Sequence, residues 1–198
     1  LNTGAAHVSV TLGKNRFYNY VRRFGFGRLT EVDMAGEISG TTKLPGDSDW
    51  YESDLGTNAF GQGIAVTPLQ MIRAVAAIAN RGQLMKPYVV KQVIKGDDVF
   101  ETEPTVIRRV VSASTAEQVT AMMIRAVETE ISVAYIPGHT IAGKTGTAEI
   151  PTPGGYKTEE TIASFIGFAP AYDPQFIILV RIDCPHKSPW GSKVAAPV

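Results

Sequence analysis

Apolar residues recur at helical spacing through the first part of the chain and at strand spacing through its last third. Spacings of three and four residues place apolar side chains on one face of a helix. Asn2 or Thr3 is suited to cap the first of these segments, and Gly25 ends the second. The predicted helices span residues 2–12, 15–24, 68–80 and about 114–127.

Two of these helices carry recognisable start signals. Thr67 stands before Pro68, and proline is favoured at the first helical position because it has no N–H to leave unpaired. Ser114 is followed three residues later by Glu117, which is the capping-box spacing. The sequence therefore predicts that these helices begin at Pro68 and next to Ser114.

The last third of the chain favours strands because β-branched residues alternate with small and polar ones. Three sequential strands are predicted, at 140–150, 161–169 and 175–183, with a tight reversal at 170–174, and consecutive antiparallel pairing is the simplest arrangement. Two more strands, 89–94 and 106–111, are predicted to join around residues 96–98 as a hairpin or a lobe beside the main sheet. The long segment 25–63 is predicted to be an ordered surface loop with a functional role.

Composition excludes some functions without selecting one. At 198 residues and 44% hydrophobic content, the chain can fill one ordinary core. The 19 basic and 19 acidic residues balance, so the chain lacks the concentrated positive charge expected of a nucleic-acid-binding protein. No apolar run reaches membrane-spanning length. The lone Cys184 allows no internal disulfide, and three scattered histidines form no zinc motif.

The candidate chemistry lies in residues 138–149, Gly-His-Thr-Ile-Ala-Gly-Lys-Thr-Gly-Thr-Ala-Glu, which fit two unrelated patterns. Gly138, Gly143, Lys144 and Thr145 match the nucleotide-binding P-loop, G-x-x-x-x-G-K-[ST]. A P-loop requires a helix to start at the lysine. The glycine, prolines and β-branched residues that follow disfavour a helix there.

The same residues are also compatible with a strand. Alternation would place Lys144 and Gly146 on one side and Thr145 and Thr147 on the other. A glycine in mid-strand lets a ligand approach the backbone, so an extended acyl donor could lie alongside as an extra strand. The two hydroxyls could bind its anionic terminus, and the lysine could supply positive potential. Alternatively, this is an edge strand whose lysine only discourages aggregation.

Several further motifs occur in a fixed order along the chain, and the Lys-Thr-Gly triplet is typical of penicillin-recognising enzymes. On these motifs the chain resembles the transpeptidase domain of class B penicillin-binding proteins over nearly its whole length. The motifs are Asn2-Thr3-Gly4, Gly25-Phe26-Gly27, Gly36-Glu37 with Leu44-Pro45-Gly46, Phe60-Gly61-Gln62-Gly63 running into Val66-Thr67-Pro68-Leu69-Gln70, Ala76-Ala77-Ile78-Ala79-Asn80, Gly143-Lys144-Thr145-Gly146-Thr147-Ala148 and Val194-Ala195-Ala196-Pro197-Val198.

The resemblance implies an α/β fold of the α+β type, with a central antiparallel sheet of about five strands flanked by helices, similar to the serine β-lactamases. The family carries three motifs, S-x-x-K, S-x-N and K-[ST]-G. Only the third is complete here, since none of the chain's serines has a lysine three residues on, and Leu1-Asn2 is similar to the tail of S-x-N. We therefore expect residues 1–198 to be the C-terminal part of one transpeptidase domain, with the nucleophile, the remaining strands and a membrane anchor upstream.

The resemblance also implies roles for individual residues. Asn2, Lys144 and Thr147 would be catalytic, with Asn2 bonding an upstream lysine and the substrate amide, Lys144 adding positive potential, and the Thr147 N–H donating to the oxyanion. Thr145, Gly146 and Thr147 would bind substrate, the two threonine hydroxyls receiving the carboxylate of the donor.

The implied activity is peptidoglycan D,D-transpeptidation through a serine ester that β-lactams trap, with no cofactor. Expected partners are peptidoglycan stem peptides, β-lactam antibiotics, the upstream portion that carries the serine, and cell-wall synthesis or division proteins, but no nucleic acid. The expected location is the outer face of the bacterial cell membrane. The alternatives are a non-catalytic penicillin-recognising sensor or structural homologue, a D,D-carboxypeptidase or penicillin-hydrolysing relative, and a P-loop nucleotide-binding protein.

Overall fold

A computed structural model of the protein describes residues 2–152 and 155–198, with the backbone alone at 156–159. The chain forms two compact units, one holding the residues up to Ala77 with Gln83–Val110, and the other holding Ile78–Gly82 with Val111–Val198. The helices are α1 (Asn2–Leu12), α2 (Lys14–Arg23), α3 (Glu52–Ala59), α4 (Pro68–Ala79), α5 (Ala113–Thr129) and α6 (Gly191–Val194). The strands are β1 (Thr41–Thr42), β2 (Ile64–Ala65), β3 (Gln83–Met85), β4 (Gln92–Lys95), β5 (Asp98–Glu101), β6 (Val106–Arg109), β7 (Ala142–Thr152), β8 (Gly155–Ala169) and β9 (Phe176–Asp183).

The segment predicted as one loop between residues 25 and 63 contains a helix, so that prediction is wrong in part. The eight residues of α3 include Gly56 and lack a helical apolar period, which is why the sequence did not indicate a helix. The helix is instead fixed from outside. Asp54 accepts a hydrogen bond from the Tyr51 N–H at 2.8 Å, and the buried Ser9 of α1 donates to Leu55 O at 2.9 Å.

The predicted start of α4 is confirmed, and its first turn holds the rest of that loop in place. Thr67 Oγ1 accepts from the Gln70 N–H at 3.2 Å, and Gln70 Oε1 accepts from the Thr67 N–H at 3.0 Å, which completes a capping box. Gln70 is fully buried, and its Nε2 donates to Arg28 O and Ser39 O, both at 2.7 Å. One amide therefore ties the helix start to two points of the loop.

Residues 83–109 form a two-stranded arm in which β3 pairs with β6 and β4 pairs with β5. The predicted hairpin turn near residue 96 is confirmed. The predicted pairing of the strand before this turn with residues 106–111 is wrong, because the tight turn pairs β4 with β5, which follows it directly. All the residues of β4 and β5 are exposed. Val93 pairs with Phe100 and Ile94 with Val99, so apolar side chains lie on both faces of the arm's distal half.

In the second unit, β7, β8 and β9 form one antiparallel sheet in that order, as the sequence predicted. Within the described residues the sheet therefore has three strands. β8 begins at Gly155, earlier than the predicted residue 161, and the β7–β8 pairing is irregular between Glu149 and Ile150. α5 begins earlier than predicted. Ser112, rather than Ser114, is the cap, because its side chain accepts from the Thr115 N–H at 3.0 Å.

One face of this sheet is covered by a compact apolar cluster. Val127 and Ile131, Ala134 and Ala196 are buried in it, and Phe165 of β8 packs against them. The cluster therefore joins α5 and the C-terminal residues to the sheet. Among the residues that the structure describes, none of the helices is long and apolar enough to cross a membrane.

Gln70→Glu should lower the free energy of unfolding by about 3 kcal/mol, because a buried carboxylate would face the carbonyls of Arg28 and Ser39 in place of the amide that donates to them. Urea denaturation measures the change. Gln92→Glu, the same substitution at an exposed position of β4, should stay within about 0.5 kcal/mol of wild type. Equal losses at both positions would contradict the role assigned to Gln70.

Asp33 fastens the loop to the arm, since its carboxylate accepts from the N–H groups of Val89 at 2.7 Å and Val90 at 2.8 Å. The hydrogen bond from Val90, followed by that from Val89, lowers the pKa of the Asp33 carboxyl. A lowered pKa in the folded state adds stability above the unfolded-state pKa of about 3.9, and this contribution is lost as the pH falls through the folded-state value.

Asp33→Asn should therefore lower the melting temperature at pH 7, and the difference from wild type should narrow as the pH falls below about 4. Melting curves recorded between pH 3 and pH 7 test this. Asp97→Asn, at the exposed tip of the same arm, is the control and should show a much smaller difference at pH 7. If the melting temperatures of Asp33→Asn and wild type differed by the same amount at every pH, protonation of the Asp33 carboxylate would not be the cause of the difference.

Candidate active site

The Lys-Thr-Gly triplet lies within β7, which ends the described sheet on one side. β7 pairs with β8 without a register shift from Ala142 to Glu149, so Lys144 is opposite Ile166 and Gly146 is opposite Ser164. The P-loop interpretation is wrong, because the residues after Lys144 continue as a strand and no helix begins there to receive a phosphate. The strand interpretation from the sequence is confirmed.

The phase of the β7–β8 ladder decides which backbone groups of β7 are free. In an antiparallel pair, successive residues alternate between directing N–H and C=O at the partner strand and directing them away. Thr161 of β8 directs its C=O towards the β9 side, where it accepts at 2.9 Å from the N–H of Cys184, the residue after β9. Ser164 is three residues further on and so faces β7, and its partner Gly146 faces β8. The N–H and C=O groups of Thr145 and Thr147 therefore face the edge of β7 that no described strand covers.

Lys144 is an exposed cation beside this edge. Its Nζ donates to Thr145 O at 2.8 Å, which is consistent with a carbonyl that lies outside the ladder. Among the residues that the structure describes, no carboxylate forms an ion pair with Lys144. No described carboxylate therefore neutralises its positive charge, which favours an anion at the edge of β7.

Thr145 and Thr147 share a face of the strand, and the Thr147 side chain has an internal partner there. Thr147 Oγ1 accepts a hydrogen bond from the backbone N–H of Gly191 at 3.0 Å. The hydroxyl proton of Thr147 is not used in this bond, so the group can still donate. Thr145 is half-buried and Thr147 is exposed.

Two glycines of β7 are required by close neighbours. A Cβ at Gly146 would lie 2.5 Å from Ser164 Oγ, and a Cβ at Gly143 would lie 2.6 Å from Phe165 Cζ and 3.2 Å from Val127 Cγ2. Gly143 therefore places the start of β7 directly on the apolar cluster. Gly146 makes room for the Ser164 hydroxyl on the face that also carries Lys144.

The structure brings Lys144, Thr145, Gly146 and Thr147 together on one strand, as the sequence predicted. Asn2 belongs to the first unit, where it is the first residue of α1 and is exposed. Sequence reasoning did not identify Gly191 or Ser164 as neighbours of the triplet. Gly191 lies 44 positions from Thr147 along the chain, and no local pattern reports a contact at that separation.

Three comparisons place the chain among known proteins. The family model described as "Penicillin binding protein transpeptidase domain" matches residues 1–198. The crystal structure of penicillin binding protein 3 from Mycobacterium tuberculosis, complexed with aztreonam, superposes with a TM-score of 0.89 at 33% sequence identity. That superposition covers 99% of this chain and 46% of the other.

Two curated relatives are similar over the whole chain. Stage V sporulation protein D of Bacillus subtilis is 37% identical, and the alignment covers 100% of this chain and 31% of that protein. Peptidoglycan D,D-transpeptidase FtsI of Escherichia coli is 32% identical, with coverage of 100% and 32%. The chain thus spans about a third of the length of these relatives.

Gly143→Ala should lower the free energy of unfolding by about 1 to 3 kcal/mol, because the added methyl group would displace Phe165 or Val127. Gly4→Ala is the matched control. Gly4 lies inside α1 with no atom within 4 Å of an added Cβ, so alanine there should raise stability by about 0.5 to 1 kcal/mol. Chemical denaturation of both variants should give changes of opposite sign, and a stabilised Gly143→Ala would disprove the tight packing.

Proposed function

Since the chain belongs to the transpeptidase domain family of class B penicillin-binding proteins, we propose that the protein containing it is a peptidoglycan D,D-transpeptidase. Its substrates would be peptidoglycan stem peptides, and β-lactams would inhibit it as mimics of the donor. It would act at the outer face of the bacterial cell membrane. The single observation that carries the proposal is the open edge of β7, with the Thr145 and Thr147 backbone groups directed outwards beside Lys144.

An open strand edge recognises an extended peptide. A donor stem lying antiparallel to β7 would exchange backbone hydrogen bonds with Thr145 and Thr147, as an added strand does. Gly146 has no side chain to hold the donor away from the backbone. The terminal carboxylate of the donor would receive hydrogen bonds from the two threonine hydroxyls and lie in the field of Lys144.

The proposed reaction is acyl transfer through a serine ester. The attacking serine would come from outside the 198 residues, because none of the chain's serines has the S-x-x-K pattern. Its Oγ bonds to the carbonyl carbon between the last two D-alanines, and the carbonyl oxygen becomes an oxyanion. The C–N bond then breaks, and D-alanine leaves as an amine that takes up the serine proton. An amine of a neighbouring stem then forms a C–N bond to the ester carbon, the C–O bond to the serine breaks, and the serine oxygen takes up the proton that the amine loses.

Thr147 would stabilise the oxyanion through its backbone N–H, which the ladder leaves unused. Its second donor would be the N–H of the serine itself. Asn2 would bond the lysine of the S-x-x-K motif and the substrate amide. In this proposal the 198 residues are the C-terminal part of the catalytic domain, and the open edge of β9 is where strands from the rest of that domain pair.

We expect fluorescent penicillin to label the full-length protein covalently, and Thr147→Pro to abolish the labelling. Proline removes the N–H that faces the open edge, and no ladder bond is lost because that N–H does not reach β8. Thr147→Ser keeps both the N–H and a hydroxyl, so it should still be labelled. Labelling is read from gels after incubation of each variant with the probe. Undiminished labelling of Thr147→Pro would reject the oxyanion role.

Product analysis separates transpeptidation from its alternatives. The full-length protein incubated with a stem pentapeptide and an acceptor amine should release D-alanine and form the cross-linked product. Release of D-alanine without cross-linking would identify a carboxypeptidase instead. Covalent labelling without any turnover would identify a penicillin-recognising sensor.

A further inference from the structure

We propose that Gly191 is a positioning residue of the active site, whose backbone N–H orients the Thr147 hydroxyl so that its proton is directed at the substrate carboxylate. This inference rests on the proposed function and deepens it. The Gly191 N–H donates to Thr147 Oγ1 at 3.0 Å and therefore occupies one lone pair of that oxygen. A hydroxyl that is held as an acceptor on one side has its proton available on the other.

The position of the Gly191 N–H is set independently of Thr147. On one side, Thr161 Oγ1 donates to Pro189 O at 3.0 Å, which ties the preceding residues to β8. On the other side, Ala195 and Ala196 donate their N–H groups to Gly191 O at 3.0 and 2.9 Å, and both alanines are buried. Hydrogen bonds on both sides of Gly191 thus hold its N–H in place, and none of them involves Thr147.

The absence of a side chain at Gly191 lets this backbone lie against the sheet. A Cβ at Gly191 would collide with Gly146 O and Ser164 O and would lie 3.0 Å from Ser164 N. These atoms belong to the ladder pair that flanks Thr147. Gly191 is therefore in direct contact with the backbone of the Lys-Thr-Gly strand. Any larger residue at this position must displace either its own backbone or that of the sheet.

The geometry leaves Thr147 suited to its proposed role. Its side chain is exposed and can therefore be reached by a ligand at the edge of β7, while its oxygen remains bonded from behind. With the acceptor position filled, χ1 of Thr147 is fixed and the hydroxyl loses little rotational freedom when a carboxylate binds. Gly191 itself touches no substrate in this arrangement and acts only through Thr147.

The test uses the full-length protein and two probes, a fluorescent penicillin with a free carboxylate and its methyl ester. For each variant we take the ratio of the second-order acylation rate constant with the acid to that with the ester. A general distortion of the site slows both probes and leaves the ratio unchanged. Loss of a hydroxyl oriented at the carboxylate slows only the acid and lowers the ratio.

Gly191→Ala and Gly191→Pro form a pair, because both add a Cβ that collides with Gly146 O and Ser164 O, but only proline replaces the N–H, by its ring carbon Cδ. Gly191 is the first residue of α6, where proline is compatible with the helix. Proline should lower the ratio about tenfold or more below alanine, as expected for one hydrogen bond to a charged group. In a Thr147→Val background the two variants should give the same ratio, because the hydroxyl is absent. Equal ratios with Thr147 present, or a difference that persists without the hydroxyl, would overturn the proposal.

Hydrogen exchange supplies a measurement that leaves Gly191 unchanged, in case its variants fail to fold. The Gly191 amide should exchange at least about tenfold faster in Thr147→Val than in wild type, whereas Thr147→Ser should keep its protection. Equal exchange in the valine and serine variants would reject the bond that the proposal requires. Absence of labelling by either probe in wild type would instead reject the proposed function, and with it the role of Gly191.

Discussion

The phase of the β7–β8 ladder is the constraint on which the site depends. Because Gly146 faces β8, the neighbouring residues Thr145 and Thr147 must direct their N–H and C=O groups to the opposite edge. A shift of one residue in this register would bury those groups in the ladder and turn Lys144 to the other face. The register between β7 and β8 therefore determines which backbone groups of β7 are available to a ligand, and several residues together fix that register.

Close packing against β7 stabilises this register. Gly143 lies on Phe165 and Val127, and Gly191 lies on the ladder pair formed by Gly146 and Ser164. Both contacts need a residue without a side chain, so the backbone itself is the packing surface. In this arrangement the apolar cluster and the C-terminal residues pack against β7, while no described strand covers its outer edge.

Much of this fold could be predicted from local pattern. The strand around Lys144 followed from β-branched residues and helix breakers, and α4 followed from Thr67 and Pro68, because these signals act within a few residues. The failures have a common cause. α3 is held by a tertiary contact from Ser9, and the Thr147–Gly191 bond spans 44 positions, so neither leaves a local periodicity. The order of motifs identified the candidate residues, and only the three-dimensional structure showed which of their atoms are already hydrogen-bonded.

The amide of Gln70 illustrates how narrow the sequence choice can become at a single buried position. It donates to two carbonyls and accepts from one N–H, and it has no access to solvent that could replace any of these partners. A single base change in a glutamine codon yields glutamate, lysine, histidine, arginine, leucine or proline. None of these offers two donors on one nitrogen together with a carbonyl acceptor. Every amino-acid change reachable by one base therefore loses at least one of the hydrogen bonds that the Gln70 amide makes, whatever reaction the protein carries out.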